Sequence, residues 1–254
     1  MVYFKCINKS NTHRKAGNSE RNRKMSSVKY SQTDNKTYTP KRIRKKSGSK
    51  NKFLAPVLVI LCFAIVVSII GKALAGETKQ ISNPKVAALA EQKIPSWIQQ
   101  KIIPKNSDSR RREYLEDLTG IVIHYVGNPG TTARQNRDYY ANPGTEVNSH
   151  FLVGLDGEMI QCLPLEEKSS ASNERNRDTI SIEVCHPDEE GKFSDVTYDA
   201  VVRLTAWLCQ ISGLDESQVI RHYDVTGKAC PLYYVEHQDA WDQFKLDLKK
   251  ELDK

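Results

Sequence analysis

The feature that most constrains this chain of 254 residues is an apolar run of nineteen residues, Phe53 to Gly71, that contains no charged side chain. A helix of this length spans roughly 30 Å, the thickness of the hydrocarbon core of a bilayer. Lys72 ends the run. We therefore expect residues 53–72 to form one transmembrane helix, so the segments before and after it must be considered separately.

The segment before the apolar run is strongly basic. Residues 1–52 contain 16 Lys and Arg against 2 acidic residues, a net charge of +14, and the other 22 basic and 29 acidic residues give −7, for a total of +7. This segment lacks hydrophobic periodicity and has too little apolar surface to offset the entropy of ordering, so we predict a disordered tail. Its charge suits contact with anionic lipids. No fold supports a nucleic-acid role, and we expect none.

The same basic residues predict the orientation of the helix. The cluster at residues 41–46 lies just before the apolar run, and such clusters stay on the cytoplasmic side. We expect a single-pass anchor in the cytoplasmic membrane, with the N-terminus cytoplasmic and the C-terminal part extracytoplasmic. A cleaved signal peptide is the alternative, because Ala73-Leu74-Ala75 resembles a cleavage site. However, the leader is much longer than an ordinary n-region.

The remaining residues divide into a polar linker at 73–93 and one domain at 94–254, which is long enough for a single full core. Residues 94–104 carry an apolar pattern between two prolines and are expected to pack against that domain. Alternating strands and helices indicate an α/β domain with one central sheet. The predicted strands are 120–126, 149–154, 159–163, 179–185 and 219–220, the second and third forming a hairpin at Asp156-Gly157, and the predicted helices are 131–142, 197–212 and 235–252.

Residues 221–231 hold the strongest chemical signal in the domain. His222 and Cys230 are eight residues apart, and the Asp, Thr and Gly between them favour a turn rather than a helix or strand. Both are zinc ligands by type, but a site needs a further ligand. His124, at the end of a predicted strand, can supply it. Three protein ligands leave a fourth position for water, which is typical of catalytic zinc. Metal ligation would also preserve a thiol outside the membrane.

The segment from about residue 94 to residue 250 resembles the zinc-dependent type-2 N-acetylmuramoyl-L-alanine amidases. This class includes phage endolysins and autolysins and is related to peptidoglycan recognition proteins. The resemblance implies a mixed sheet flanked by helices, a Zn²⁺ bound by His124, His222 and Cys230, and peptidoglycan as substrate. The implied reaction is hydrolysis of the amide between muramic acid and L-alanine. The segments that carry it are residues 121–125, 149–153, 179–185 and 221–231.

The resemblance also implies two catalytic residues. Glu183 takes the position of the catalytic glutamate, where it would accept a proton from the water that zinc activates and return it to the leaving amine. The alternative is a solvated strand carboxylate. Lys228 is similar to a lysine that stabilises the oxyanion in some members, and the alternative is a surface lysine.

Some positions depart from the family pattern. Ser149 stands where some members have a tyrosine, which removes a second acid or base and places more weight on Glu183. The loop at residues 169–172 lacks a histidine that many relatives carry there. His150 is interpreted either as a substrate or outer-sphere contact or as a packed strand residue. We assign no function to His186 and His237, and the sequence leaves open a disulfide among Cys162, Cys185 and Cys209.

Two other functions fit the sequence. One is a peptidoglycan-binding module without activity, although such relatives have lost the cysteine that is present here as Cys230. The other is a zinc-stabilised interaction domain of an envelope machine, which three ligands rather than four disfavour. The sequence predicts no oligomeric state.

Overall fold

The computed structural model describes residues 80–254. The predicted basic tail at 1–52 and the predicted transmembrane helix at 53–72 lie outside the described residues. Among the helices of residues 80–254, none combines the length and hydropathy that crossing a bilayer requires.

A mixed sheet forms the centre of the described part of the chain. Its strand order is β1-β4-β3-β5-β2-β6. All neighbours run parallel except β3 and β4, which form the antiparallel hairpin predicted at Asp156-Gly157. The prediction of a mixed central sheet is therefore confirmed. The strands are β1 (Ile98–Gln100), β2 (Gly120–Tyr125), β3 (Phe151–Val153), β4 (Met159–Gln161), β5 (Thr179–Val184) and β6 (Val219–Arg221).

Helices cover both faces of this sheet. The longest, α3, begins after the capping hydroxyl of Ser194 and ends at Gly213, whose φ of 69° is one that glycine adopts without strain. The predicted helices are present with slightly different ends. The α-helices are α1 (Pro84–Ala90), α2 (Ala133–Tyr140), α3 (Asp195–Ser212), α4 (His222–Thr226), α5 (Leu232–Glu236) and α6 (Gln238–Leu252), and 3₁₀ turns lie at Asn173–Arg177 and Glu216–Gln218.

Strand β5 separates two hydrophobic clusters. Ile180, Ile182 and Val184 join the larger cluster under α3 and α6, whereas Cys185 joins a smaller cluster with Ala133 and Tyr140 of α2. This is the alternation predicted for residues 179–185. The polar face of the strand is not solvated, however, because α2 and its loops cover it. Glu183 consequently lies in the interior, with 3% of its surface exposed.

The folded part extends beyond the predicted boundary at residue 94. Within the predicted linker, residues 84–90 form α1, and Val86 and Leu89 lie in the larger core cluster. The side-chain oxygen of Asn83 caps this helix by accepting from the backbone N–H groups of Lys85 and Val86. Residues 94–104 pack on the domain as predicted, and they do so by adding β1 beside β4.

Candidate metal centre

Strand β2 lies between β5 and β6, so its side chains are held by neighbours on both sides. His124 is paired in register with Glu183 of β5. Because paired residues of adjacent strands point to the same face, the imidazole and the carboxylate meet there. His124 Nδ1 lies 3.9 Å from Glu183 Oε1, and both residues are buried.

The segment after β6 brings His222 and Cys230 to the same place. Arg221 donates hydrogen bonds from its guanidinium to both carboxylate oxygens of Asp224, and the backbone N–H of Arg221 donates to the same side chain. The N–H of Tyr223 donates to the carbonyl of Cys230 at 2.9 Å, which closes the loop. The prediction of a turn without helix was wrong, because Asp224 caps α4 and five residues complete a short helix before Gly227.

Three side chains converge on one point. The ligand-type atoms of His124, His222 and Cys230 all lie within 4.8 Å of one another, and all three residues are buried. Cys230 Sγ is 3.9 Å from His124 Nδ1, and the two imidazole rings are 4.6 Å apart. Zinc binds nitrogen at about 2.0 Å and sulfur at about 2.3 Å, so one ion can bridge the 3.9 Å between His124 Nδ1 and Cys230 Sγ. Two imidazoles and a thiolate also suit zinc chemically.

The electrostatic environment keeps both imidazoles neutral at neutral pH. Burial lowers the pKa of His124 well below its ordinary value, and the charges of His222 and Lys228 add to this effect. Burial and the charge of Lys228 lower the pKa of His222 to about 4. A neutral imidazole keeps a nitrogen lone pair, which metal binding requires. The structure also brings the charge of Lys228 near both histidines.

Two consecutive residues, Ser172 and Asn173, contact the Nε2 atoms of His124 and His222. His124 Nε2 lies 3.0 Å from Ser172 Oγ, and His222 Nε2 lies 2.9 Å from Asn173 Oδ1. These contacts could not be predicted, because nothing in the sequence places the loop at residues 169–172 beside β2.

A phenol that the sequence analysis missed lies near Glu183. The hydroxyl of Tyr140, at the end of α2, is 3.2 Å from Ser149 Oγ. Burial raises the pKa of Tyr140 well above its ordinary value, and the charge of Glu183 raises it further. Tyr140 therefore remains protonated beside this carboxylate. The family resemblance implies that Ser149 replaces a tyrosine found in some members. In this chain the phenol of Tyr140, from α2, lies beside Ser149 instead.

The remaining candidates lie apart from the metal cluster. His150 lies directly before β3 and is packed in the core: its Nδ1 accepts from the N–H of Ser181 and its Nε2 lies 2.7 Å from the carbonyl oxygen of Glu167. His186 and His237 are not among the three clustered residues. The disulfide that the sequence left open among Cys162, Cys185 and Cys209 is not formed.

Comparison with known proteins agrees with this geometry. Residues 114–232 match a family described as N-acetylmuramoyl-L-alanine amidase. The N-acetylmuramoyl-L-alanine amidase BlyA of Bacillus subtilis (strain 168) is 28% identical over 171 residues, which cover 59% of this chain and 46% of BlyA. The N-acetylmuramoyl-L-alanine amidase CwlL of Bacillus licheniformis is 28% identical over 148 residues, covering 52% of this chain and 41% of CwlL. The chain thus spans less than half the length of these relatives.

Solved structures share the fold of the domain. The catalytic domain of XlyA is 28% identical with a TM-score of 0.51, and the match covers 59% of this chain and 98% of that domain. A mutant endolysin from Bacillus subtilis is 29% identical with a TM-score of 0.52, covering 59% of this chain and 97% of the endolysin.

Proposed function

We propose that this chain is a zinc-dependent hydrolase that cleaves peptidoglycan between N-acetylmuramic acid and L-alanine, and the match of residues 114–232 to the N-acetylmuramoyl-L-alanine amidase family supports this. The observation that carries the proposal is the convergence of His124, His222 and Cys230 within 4.8 Å, beside the buried carboxylate of Glu183. Three protein ligands leave room for water and substrate.

The residues of the site divide the chemistry between them. His124, His222 and Cys230 would hold Zn²⁺, which when bound lowers the pKa of a coordinated water to about 7 and polarises the substrate carbonyl. Glu183 accepts a proton from the attacking water and returns it to the departing amine of L-alanine. Its burial next to His124 supports this role over that of a solvated carboxylate.

Lys228 is the candidate for stabilising negative charge on the substrate oxygen. Its charge acts on both His124 and His222, which supports a position close to the reacting centre. A fixed cation beside a developing oxyanion is worth most where water is excluded, as it is around these buried imidazoles.

We further propose that residues 53–72 anchor the chain in the cytoplasmic membrane with the domain outside. The apolar run and the basic cluster before it support this arrangement. An anchored domain would remain close to peptidoglycan at the outer face of the cytoplasmic membrane.

The proposal is tested by incubating the purified full-length protein with purified peptidoglycan and measuring new amino termini. The products are identified by mass spectrometry. We expect release of peptides that begin with L-alanine, loss of release with EDTA, and recovery with Zn²⁺. Cys230→Ser should lose both zinc and activity. A protein that binds stoichiometric zinc but cuts no muropeptide would contradict the catalytic proposal and favour a binding or structural role.

Two further variants separate metal binding from catalysis. Glu183→Gln should keep zinc and lose about 10²- to 10⁴-fold in kcat, the usual contribution of a general acid–base group. Lys228→Ala should keep zinc and lose about 10²-fold. The matched controls are Glu91→Gln and Lys250→Ala, which change exposed side chains. Full activity in Glu183→Gln would assign the base role to another residue.

A further inference from the structure

We infer that Ser172 and Asn173 are positioning residues for the metal site. Ser172 binds Nε2 of His124, Asn173 binds Nε2 of His222, and these contacts leave the Nδ1 atom of each ring available to the metal. This inference rests on the proposed metal-dependent function and deepens it.

The observation is a pair of contacts from adjacent residues to two different ligands. Ser172 Oγ lies 3.0 Å from His124 Nε2, and Asn173 Oδ1 lies 2.9 Å from His222 Nε2. The opposite nitrogen of His124, Nδ1, faces Cys230 Sγ at 3.9 Å. One dipeptide therefore contacts two imidazoles that come from different elements, β2 and α4, and that are almost one hundred residues apart in the sequence.

The contact with Asn173 selects one form of the His222 ring. A neutral imidazole carries a single N–H, and a carbonyl oxygen only accepts hydrogen bonds. His222 Nε2 must therefore hold the proton when it bonds to Asn173 Oδ1. Its Nδ1 is then left with a free lone pair, which is the state that a metal requires. The hydroxyl of Ser172 can accept from His124 Nε2 in the same way and has the same consequence for that ring.

The loop is held firmly enough to serve this purpose. The side-chain oxygen of Asn176 accepts from the backbone N–H groups of Ala171 and Ser172, at 3.0 and 2.7 Å. Ser172 is fully buried. Asn173 has a φ of 53°, in the left-handed region where asparagine is tolerated better than most residues other than glycine. Its residue type thus satisfies both the backbone and the hydrogen bond to His222.

The same segment connects the outer contacts to the proposed base. The 3₁₀ turn at Asn173–Arg177 leads directly into β5, which carries Glu183. The hydroxyl of Thr179, the first residue of β5, donates to the carbonyl of Arg175 at 2.6 Å and fixes this junction. Ser172, Asn173 and Glu183 are therefore placed by one continuous piece of chain.

The experiment measures the dissociation constant for Zn²⁺ of the full-length protein by competition with a chromophoric chelator. Asn173→Gly removes the amide but permits the same positive φ, and Ser172→Ala removes the hydroxyl. Each should weaken zinc binding by about 10- to 100-fold, the usual effect of losing a group that orients a ligand. Asn173→Asp retains an acceptor oxygen and should restore binding to within a few-fold of the unaltered protein.

Ser170→Ala, in the same loop, is the matched control and should bind zinc normally. If Asn173→Gly and Ser172→Ala bind Zn²⁺ as tightly as the unaltered protein, the inference is wrong while the proposed amidase function stands. If Ser170→Ala weakens binding equally, the effect is loss of loop structure, and the inference is again wrong. An unaltered protein that binds no zinc would overturn both this inference and the metal-dependent function.

Discussion

At the scale of single residues, three buried histidines have two different roles. His124 turns Nδ1 toward Cys230 and Nε2 toward Ser172, and His222 turns Nε2 toward Asn173. His150 uses both nitrogens for hydrogen bonds within the core, to Ser181 and to the carbonyl of Glu167. All three must be neutral in the fold, but only the first two leave a lone pair available for a ligand.

His150 makes the stability of the domain sensitive to acid. Burial lowers its pKa to about 4, below the ordinary value of 6.5. Between these two values the unfolded chain binds a proton that the folded chain does not, so stability falls as pH falls from 6.5 to 4. The contribution is about 1.4 kcal/mol per pH unit across this window. Urea unfolding at several pH values in EDTA should show this slope.

The comparison protein is His150→Gln, measured under the same conditions. Below pH 6.5, the slope of its free energy of unfolding against pH should be smaller by about 1.4 kcal/mol per pH unit, the contribution of one proton. The contributions of His124 and His222 are present in both proteins and cancel. Equal slopes for the two proteins would show that His150 is not kept neutral by the fold.

At the scale of elements, two short helices depend on tertiary contacts: α4, which carries His222, and α1, at the start of the folded domain. Helix α4 has only five residues and is stabilised by contacts beyond its own turn, since Arg221 reaches the carbonyl of Tyr234 as well as Asp224. Helix α1 has seven residues and is held by the cap at Asn83 and by two buried side chains, Val86 and Leu89. Helices this short are not stable alone in water, so tertiary contacts must hold them.

A substitution at Leu89 tests whether residues 84–90 are a linker or part of the folded domain. It is 3% exposed and belongs to the larger core cluster. Leu89→Ala should lower the free energy of unfolding by about 2–5 kcal/mol, as large-to-small core substitutions do. Lys85→Ala, at an exposed position of the same helix, should change it by at most about 0.5 kcal/mol. Urea denaturation measures both, and equal small effects would restore the linker prediction for residues 84–90.

At the scale of the whole molecule, the proposed anchor at residues 53–72 would determine where the domain works. We expect the full chain, expressed in a Gram-positive host, to remain in the membrane fraction after an alkaline wash. Protease added to protoplasts should digest the domain and spare a tag on the N-terminus. A variant that lacks residues 53–72 is the control and should leave the membrane fraction. Recovery of a mature protein that begins near Gly76 would instead support the cleaved signal peptide.

Most of the site could be predicted from the sequence because its members lie in recognisable local patterns. His124 ends a β-branched run, Glu183 lies in a strictly alternating strand, and His222 and Cys230 flank a turn-rich loop. The structure brings His124, His222 and Cys230 together and places Glu183 beside them. The prediction of the central mixed sheet follows from similar patterns and is confirmed.

The residues around the site could not be predicted in this way. Ser172, Asn173 and Tyr140 have no local signal, because a serine, an asparagine or a tyrosine at the end of an element is common on any surface. Their positions depend on how the loop before β5 and the end of α2 fold over the sheet. Two apolar residues in α1 were likewise too few to show a helical period.

The sequence by itself therefore determined the candidate ligands, the alternation of strands and helices, and the expectation of an anchor. These properties depend on residue type and on short-range periodicity. Only the tertiary structure decided which nitrogen of His124 faces Cys230, which groups contact the Nε2 atoms of His124 and His222, and where the domain begins. Those features arise from contacts between residues distant in the chain, since parallel strands place side chains together only after the crossover connections have formed.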